Sequence, residues 1–253
     1  MEDILHMDIS AGIVLFNPDI KRLKENIDAV IIQCTHLYLV DNGSGNVDEV
    51  KGLLNQYNQS KISILWNREN QGIAKALNQL TSAAQKEGFD WILTLDQDSV
   101  VPSNIVGEFE KYINNSSVGI LCPIICDRNK DEEIKINEDC TEIDECITSG
   151  SLLNIKAWSE IGGFDERMFI DGVDFDICYR LRQRGYKIYC IHSVVLLHEL
   201  GHIEYHRFLF WKVLVKNHSA FRKYYIARNI IYTAKKRRST LLVVKGLLQE
   251  IKL

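Results

Sequence analysis

The chain of 253 residues lacks several things that would have named its class at once. No stretch of about 18 apolar residues occurs, so no segment is expected to span a membrane as a helix. No Gly-x-Gly-x-x-Gly follows the first apolar segment, and no Gly-Lys-Ser/Thr is present, which argues against a dinucleotide cofactor and a P-loop. There is no excess of basic charge: 30 Lys and Arg face 34 Asp and Glu, for a net charge of -4, so no nucleic-acid partner is expected. Cys-x-x-Cys is absent, and the seven cysteines are odd in number and scattered, the usage of reduced thiols in a cytoplasm. Met1 to Asp8 carries acids and no apolar core, so no signal peptide is expected there. Internal repeats and low-complexity linkers are also missing. What remains is an ordinary globular composition, 46% hydrophobic and 25% charged, long enough for one large domain or one and a half ordinary ones.

The most informative stretch runs from Trp91 to Ser99. Trp91 to Leu95 reads as a buried strand, and it ends in Asp96 and Asp98, one residue apart. Two carboxylates so close repel unless a cation lies between them, and oxygen ligands of this kind suit Mg2+, Mn2+ or Ca2+. In an open α/β sheet the carboxyl ends of strands are where ligands bind. The tripeptide alone could equally be a solvated strand end.

Strand and helix patterns alternate four times in the first hundred residues. Ile9 to Phe16 is a strand closed by Asn17-Pro18. Asp19 can cap a helix with Ile20, Leu23, Ile27, Val30 and Ile31 on one face. His36 to Val40 is a strand ending in the loop Asp41-Asn42-Gly43-Ser44-Gly45, and Val47 to Tyr57 a helix. Ile62 to Trp66 is a third strand, the loop 67–72 opens the helix Ile73 to Lys86, and the Asp96 strand follows. This alternation predicts an α/β fold with a parallel sheet and helices on both faces. Loops around Asn17, Asp41 and Asp96 then leave the same sheet edge. Asp41 stands where such folds place an acid that reads a ribose or base, although Asp41-Asn42-Gly43 also satisfies a tight turn. The second half is less regular. Ile120 to Ile125 and Cys146 to Asn154 read as strands, with a charged segment, Asp127 to Glu145, between them. A glycine loop at 162–166 precedes Asp171, Asp174, Asp176 and a helix that ends at Gly185. Acids at a helix start also complement its dipole. Ile188 to Leu197 is a strand ending at His198, and from Tyr205 onward the chain reads as helical, aromatic and basic. Lys235-Lys236-Arg237-Arg238 beside an apolar helical face suits an anionic membrane surface, or a helix packed on its own domain.

Taken together, these residues resemble family 2 inverting glycosyltransferases of the GT-A fold, and within them the bacterial rhamnosyltransferase branch. The likeness runs from about Ile9 to about Lys235. It is carried by Phe16-Asn17-Pro18, Val40 to Ser44, Asn70-x-Gly72-x3-Ala76-x-Asn78, Leu95-Asp96-Gln97-Asp98-Ser99 and Ser149-Gly150. It continues through Gly162 to Glu166, Asp171-x2-Asp174-x-Asp176-x-Cys178-x-Arg180, His198-Glu199-x-Gly201 and Tyr224-Tyr225-x2-Arg228-Asn229.

The resemblance implies a GT-A domain over 1–204, with a nucleotide-binding half at 1–100 and an acceptor-binding half at 101–204, followed by a helical extension over 205–253. It implies a dTDP- or UDP-linked donor held by Phe16, Asn17, Asp41, Asn42, Asn70, Gly72, Asn78, Asp96 and Gln97, with Asp41 at the nucleobase. Asp96 and Asp98 would hold Mg2+ or Mn2+ on the diphosphate, with His198 beside the metal. Asp174 would be the general base, with Ser149, Gly150, Asp171 and Arg180 on the acceptor side. The family's acid before the base is Val173 here, which makes Asp171 the understudy. The implied reaction moves a sugar, L-rhamnose from dTDP-L-rhamnose, onto a saccharide or lipid-linked acceptor in cell-surface polysaccharide synthesis. It would run in the cytoplasm, with peripheral contact at the inner face of the plasma membrane. A rival reading comes from His198-Glu199-Leu200-Gly201-His202, a literal His-Glu-x-x-His zinc peptidase motif that would need to lie on a helix.

Overall fold

The computed structural model describes residues 8–127, 139–198, 203–208, 211–216, 219–239, 241 and 244. Among the described residues ten strands and seven α-helices follow one another. The first eight elements are β1 (Ile9–Leu15), α1 (Ile20–Val30), β2 (His36–Asp41), α2 (Val47–Leu54), β3 (Ile62–Trp66), α3 (Ile73–Lys86), β4 (Trp91–Asp96) and α4 (Ile105–Glu110). Then come β5 (Val118–Asp127), β6 (Cys140–Ile143), β7 (Ser151–Asn154), α5 (Ile155–Glu160), α6 (Val173–Gln183), β8 (Lys187–His198), β9 (Ile203–Phe208), β10 (Trp211–Lys216) and α7 (Ala220–Lys236).

Eight strands form one sheet in the order β3-β2-β1-β4-β7-β5-β8-β6. β3, β2, β1 and β4 are mutually parallel, β7 is antiparallel to both its neighbours, and β6 is antiparallel to β8. The sheet is therefore mainly parallel, as the alternating pattern predicts.

Period-two alternation sorts each central strand between two apolar layers. Ile9, Ala11, Ile13 and Leu15 of β1, Leu37 and Leu39 of β2, and Trp91, Leu93 and Leu95 of β4 face α1, α2 and α4. Val14, Tyr38, Val40 and Ile92 face α3, α5 and α6. Helices thus cover both faces. Asp19 caps α1 by accepting from the Arg22 amide at 2.9 Å.

The order 3-2-1-4 reverses between β1 and β4, so a crevice opens where their carboxyl ends diverge. In register, Leu15 lies beside Asp41 and Val14 beside Asp96. β7 enters between β4 and β5 and brings the 148–150 turn up against Asp96.

Three sequence expectations need correction. The segment from Tyr205 is not helical at first: β9 and β10 form an antiparallel hairpin, and helix starts only at Ala220. Ile203 and Tyr205 alternate with Glu204 and His206, and β10 is rich in β-branched and aromatic residues, signals obscured by the basic composition. The Cys146–Asn154 strand shrinks to Ser151–Asn154, because Gly150, with φ 79, turns the chain. The charged segment holds strand β6 at Cys140–Ile143, while 128–138 lies outside the described residues. Among the described residues no helix is long and apolar enough to cross a membrane.

Candidate active site

The crevice between β1 and β4 is closed by side chains that bond to backbone. Gln97 receives the Phe16 amide on Oε1 at 2.8 Å and donates Nε2 back to the Phe16 carbonyl at 3.3 Å. The Asn17 amide donates to Ser44 Oγ at 2.8 Å, and Asn17 Oδ1 accepts from the Gly45 amide at 2.7 Å. Three strand ends are thereby tied into one rim. The Phe16 ring is left 45% exposed, facing away from the cores.

Asp41 is fully buried at the end of β2. Its Oδ1 accepts from the amides of Gly43 (3.1 Å) and Ser44 (2.9 Å), which shapes the turn. Its Oδ2 has no partner. A buried acceptor left open at a ligand crevice is costly unless a ligand donor completes it. The tight-turn reading and the ligand reading of Asp41 are thus served by different oxygens.

Asn42 and Asn70 knit the second and third loops together. Asn42 Nδ2 donates to Asn70 Oδ1 (3.0 Å) and the Gly72 carbonyl (3.3 Å), while its Oδ1 accepts from Asn67 Nδ2 (3.1 Å) and the Gln71 amide (2.9 Å). Gly72 then passes against the 165–171 segment. It has φ 84, and a Cβ there would stand 2.7 Å from the Phe169 carbonyl oxygen, so only glycine fits. Asn78, one turn into α3, spends both ends of its amide on the glycine loop: Oδ1 accepts from the Phe164 amide (2.8 Å) and Trp158 Nε1 (3.1 Å), and Nδ2 donates to the Phe164 carbonyl (3.0 Å).

Asp96 is held from two sides. Asn26 Nδ2 of α1 donates to its carbonyl at 2.7 Å, and its amide donates to Ser149 Oγ at 3.0 Å. Ser149 Oγ in turn donates to Ser99 Oγ at 2.8 Å, pinning the Asp96–Ser99 turn to the 148–150 turn. Neighbouring Thr148 donates Oγ1 to Asp174 Oδ1 at 2.9 Å. One short turn therefore places both the metal-pair aspartate and the base expected from sequence. Burial pushes the Asp96 carboxyl up to about 6, with Asp98 adding and the Arg222 charge opposing. Burial also pushes Asp174 up to about 6, against the Thr148 hydrogen bond, with Asp96 and Asp171 adding. The mutual repulsion shows that Asp96, Asp98, Asp171 and Asp174 share one electrostatic site.

Among the described residues no group of three or more Asp, Glu, His or Cys is arranged to enclose an ion by itself. Asp96 at the strand end and Asp98 two residues on nonetheless offer the carboxylate oxygens that suit a hard divalent cation, and burial together with the Asp98 charge raises the Asp96 carboxyl. His198 ends β8 in register with Asp127, and its side chain lies outside the described residues.

Two expected acceptor-side residues have partners that define them differently. Asp171, with φ 65, is gripped by Arg222 of α7. Arg180 donates Nε to Asp176 at 2.7 Å and Nη1 to the Ile161 carbonyl at 2.9 Å, bracing α6 rather than reaching the carboxyl cluster. Asp176 is buried and is also held by Lys236 at 2.7 Å. Sequence reasoning missed Asn26, Thr148 and Arg222, none of which stands in a quoted motif, and gave Ser99, the last residue of the Leu95 to Ser99 motif, no role. It did quote Asn229 within Tyr224-Tyr225-x2-Arg228-Asn229 without a role. Asn229 is buried and its Nδ2 lies 2.8, 2.8 and 2.7 Å from the carbonyls of Met168, Ile170 and Asp171, fixing the segment that leads into α6.

The chain belongs to glycosyl transferase family 2, whose model matches residues 10–178. It is 26% identical over 257 residues to the dTDP-rhamnosyl transferase RfbF of Shigella flexneri, covering 94% of this chain and 84% of that one. The fold is that of GT-A glycosyltransferases. It superposes on the mannosyltransferase PcManGT of Pyrobaculum calidifontis, solved with GDP-Man and Mn2+, with TM-score 0.67 at 15% identity over 92% of this chain and 64% of that one. It also superposes on GalNAc-T7, solved with UDP, GalNAc and Mn2+, with TM-score 0.63 at 17% identity over 83% of this chain and 46% of that one. The chain thus spans between about half and two-thirds of these solved relatives. The zinc peptidase reading falls with this: His198 is the end of a strand, not part of a helix that would align two histidines, and residues 199–202 lie outside the described set.

Proposed function

We propose that this glycosyltransferase moves L-rhamnose from dTDP-L-rhamnose onto a hydroxyl of a saccharide or lipid-linked acceptor, inverting the anomeric centre. The observation that carries the reading is the single turn, 148–150, that serves Asp96 through Ser149 and Asp174 through Thr148. A donor-side acid and an acid suited to deprotonate an acceptor thus lie side by side. The donor identity is supported by the resemblance to RfbF along nearly the whole chain.

In this reading the open Asp41 Oδ2 accepts the N3–H of the pyrimidine, a donor that thymine and uracil carry and cytosine lacks. Gln97 and Asn17 hold the rim against which the nucleoside lies. Asp96 and Asp98, with His198 as proposed third ligand, would hold Mg2+ or Mn2+, which supplies Lewis-acid neutralisation of the leaving diphosphate. Asp174 takes the proton of the acceptor hydroxyl as its oxygen attacks C1 of the sugar from the face opposite the diphosphate. The C1–O bond to dTDP breaks as the new glycosidic bond forms, so a β donor gives an α product. Thr148 holds the Asp174 carboxyl in place for that transfer. We place the acceptor at the cytoplasmic face of the membrane. The basic run contributes less to such contact than its composition suggests, because Lys236 pairs with Asp165 and Asp176 and Arg237 donates to the Phe175 carbonyl at 2.9 Å.

The test is a panel of nucleotide-sugars assayed for release of nucleoside diphosphate with Mg2+ and with Mn2+. dTDP-L-rhamnose should be turned over in preference to UDP- and GDP-sugars. Preference for another donor would overturn the assignment.

A further inference from the structure

Arg222, in the first turn of α7, grips Asp171 through Nε at 3.1 and 3.2 Å from its two carboxyl oxygens and through Nη2 at 2.9 Å from Oδ1. The Arg222 side chain is nevertheless 46% exposed. Asp171 lies three residues before Asp174, which accepts from Thr148, and Ser149, next to Thr148, accepts the Asp96 amide, so the guanidinium is tied to the segment that carries the carboxyl cluster. Asp171 immediately precedes Gly172, which opens the helix bearing Asp174.

The loop does not need this ion pair to hold its shape. Asn229 gathers the carbonyls of Met168, Ile170 and Asp171. Tyr225 stacks on Phe169 with ring centres 4.8 Å apart. Lys236 joins Asp165 and Asp176 at 2.7 Å each, and the Ile73 amide donates to the Phe169 carbonyl at 2.6 Å. An arginine that braces nothing irreplaceable, half in solvent and gripping a carboxyl in a fork, has the geometry with which guanidinium binds a phosphate.

We propose that Arg222 exchanges partners during the reaction cycle, pairing with Asp171 in the empty enzyme and with the β-phosphate of the donor when it is bound. The exchange rests on the glycosyl-transfer reading above and adds to it a second cationic contact for the leaving diphosphate. It also releases Asp171 on the acceptor side only once a donor is in place. Asp171 then acts as a competitor of the donor for one guanidinium.

Competition makes opposite predictions for the two members of the pair, whereas a brace makes the same prediction for both. The probes are dTDP and dTMP, titrated calorimetrically into the wild type, Arg222→Ala, Arg222→Lys and Asp171→Asn in Mg2+, with melting curves to verify folding. Arg222→Ala should lose about tenfold or more in dTDP affinity and little for dTMP, the effect of removing a charge-assisted contact to the second phosphate. Arg222→Lys should recover part of the loss. Asp171→Asn should bind dTDP more tightly, by up to about fivefold, the worth of an exposed ion pair. The proposal is overturned if Arg222→Ala keeps the wild-type ratio of dTDP to dTMP affinity, or if Asp171→Asn weakens dTDP. A wild type that gains nothing from the second phosphate overturns the glycosyl-transfer reading and the exchange together. A wild type that prefers dTDP, with either variant result just named, overturns the exchange alone.

Discussion

Asp174→Asn should make the empty protein more stable while disabling it. Burial raises the Asp174 carboxyl from 3.8 to about 6, with the Thr148 hydrogen bond opposing and Asp96 adding. The folded state therefore binds this proton more tightly than the unfolded chain does. Such a group contributes stability below the unfolded value, and that contribution is lost as pH rises from about 4 to about 6. Above pH 6 the full cost of the buried charge is present. A rise of this size corresponds to about 3 kcal/mol, which residual exposure and solvent screening reduce to about 1–2 kcal/mol. Asparagine keeps the shape and can still accept the Thr148 hydroxyl at its Oδ1, so the substitution removes charge without removing a hydrogen bond. Melting temperature at pH 8 should rise by about 2–6 °C for a chain of this length, and the difference from wild type should shrink at pH 4.5. The assay is differential scanning calorimetry at both pH values on metal-free protein, with turnover measured alongside. Turnover should fall by about 10^2 to 10^4-fold, the usual worth of a general base. Unchanged or lower stability at pH 8, or a gain equal at both pH values, would refute the argument that Asp174 is a desolvated carboxylate repelled by its neighbours.

Other expectations follow from the same geometry. Turnover of the wild type should decline below about pH 6 as Asp174 protonates, and a profile flat down to pH 5 would exclude it as the base. Asp98→Asn should nearly abolish transfer and weaken donor binding chiefly in the presence of metal; equal donor affinity with metal would count against the acid pair as metal site. Asn229→Ala should cost about 1–3 kcal/mol in chemical denaturation, because buried carbonyls between Met168 and Asp171 lose their donor. Removing residues 235–253 should lower thermal stability through loss of the Lys236 ion pairs, and should abolish cosedimentation with anionic liposomes at low salt if the tail touches membrane.

Much of the first hundred residues was legible because each element carries its own signal. β1, β2 and β4 are apolar runs that end abruptly in polar residues, and Asp19 marks the start of α1 by its own side chain. What was illegible depends on distance along the chain. Thr148 meets Asp174 across 26 residues, and Asn26 meets Asp96 across 70, so no local spacing announces either. The β9–β10 hairpin has the aromatic and basic composition of α7, and its apolar alternation is confined to the six residues of β9, too short to outweigh it. Lys236 and Arg237 read as a solvated basic face, yet the fold turns both back onto α6. Composition describes a surface run and a buried ion pair equally well.

Asp41, Asp96 and Asp98 together form the proposed seat of a nucleoside-diphosphate sugar. It is tested most directly by titrating dTDP-L-rhamnose into the wild type, Asp41→Asn and Asp98→Asn, each with Mg2+ and with EDTA. The account predicts tight binding by the wild type in Mg2+, weaker binding in EDTA, and an Asp98→Asn variant that no longer distinguishes the two conditions, while Asp41→Asn is weakened equally in both. Wild-type binding indifferent to metal and to both substitutions would contradict it.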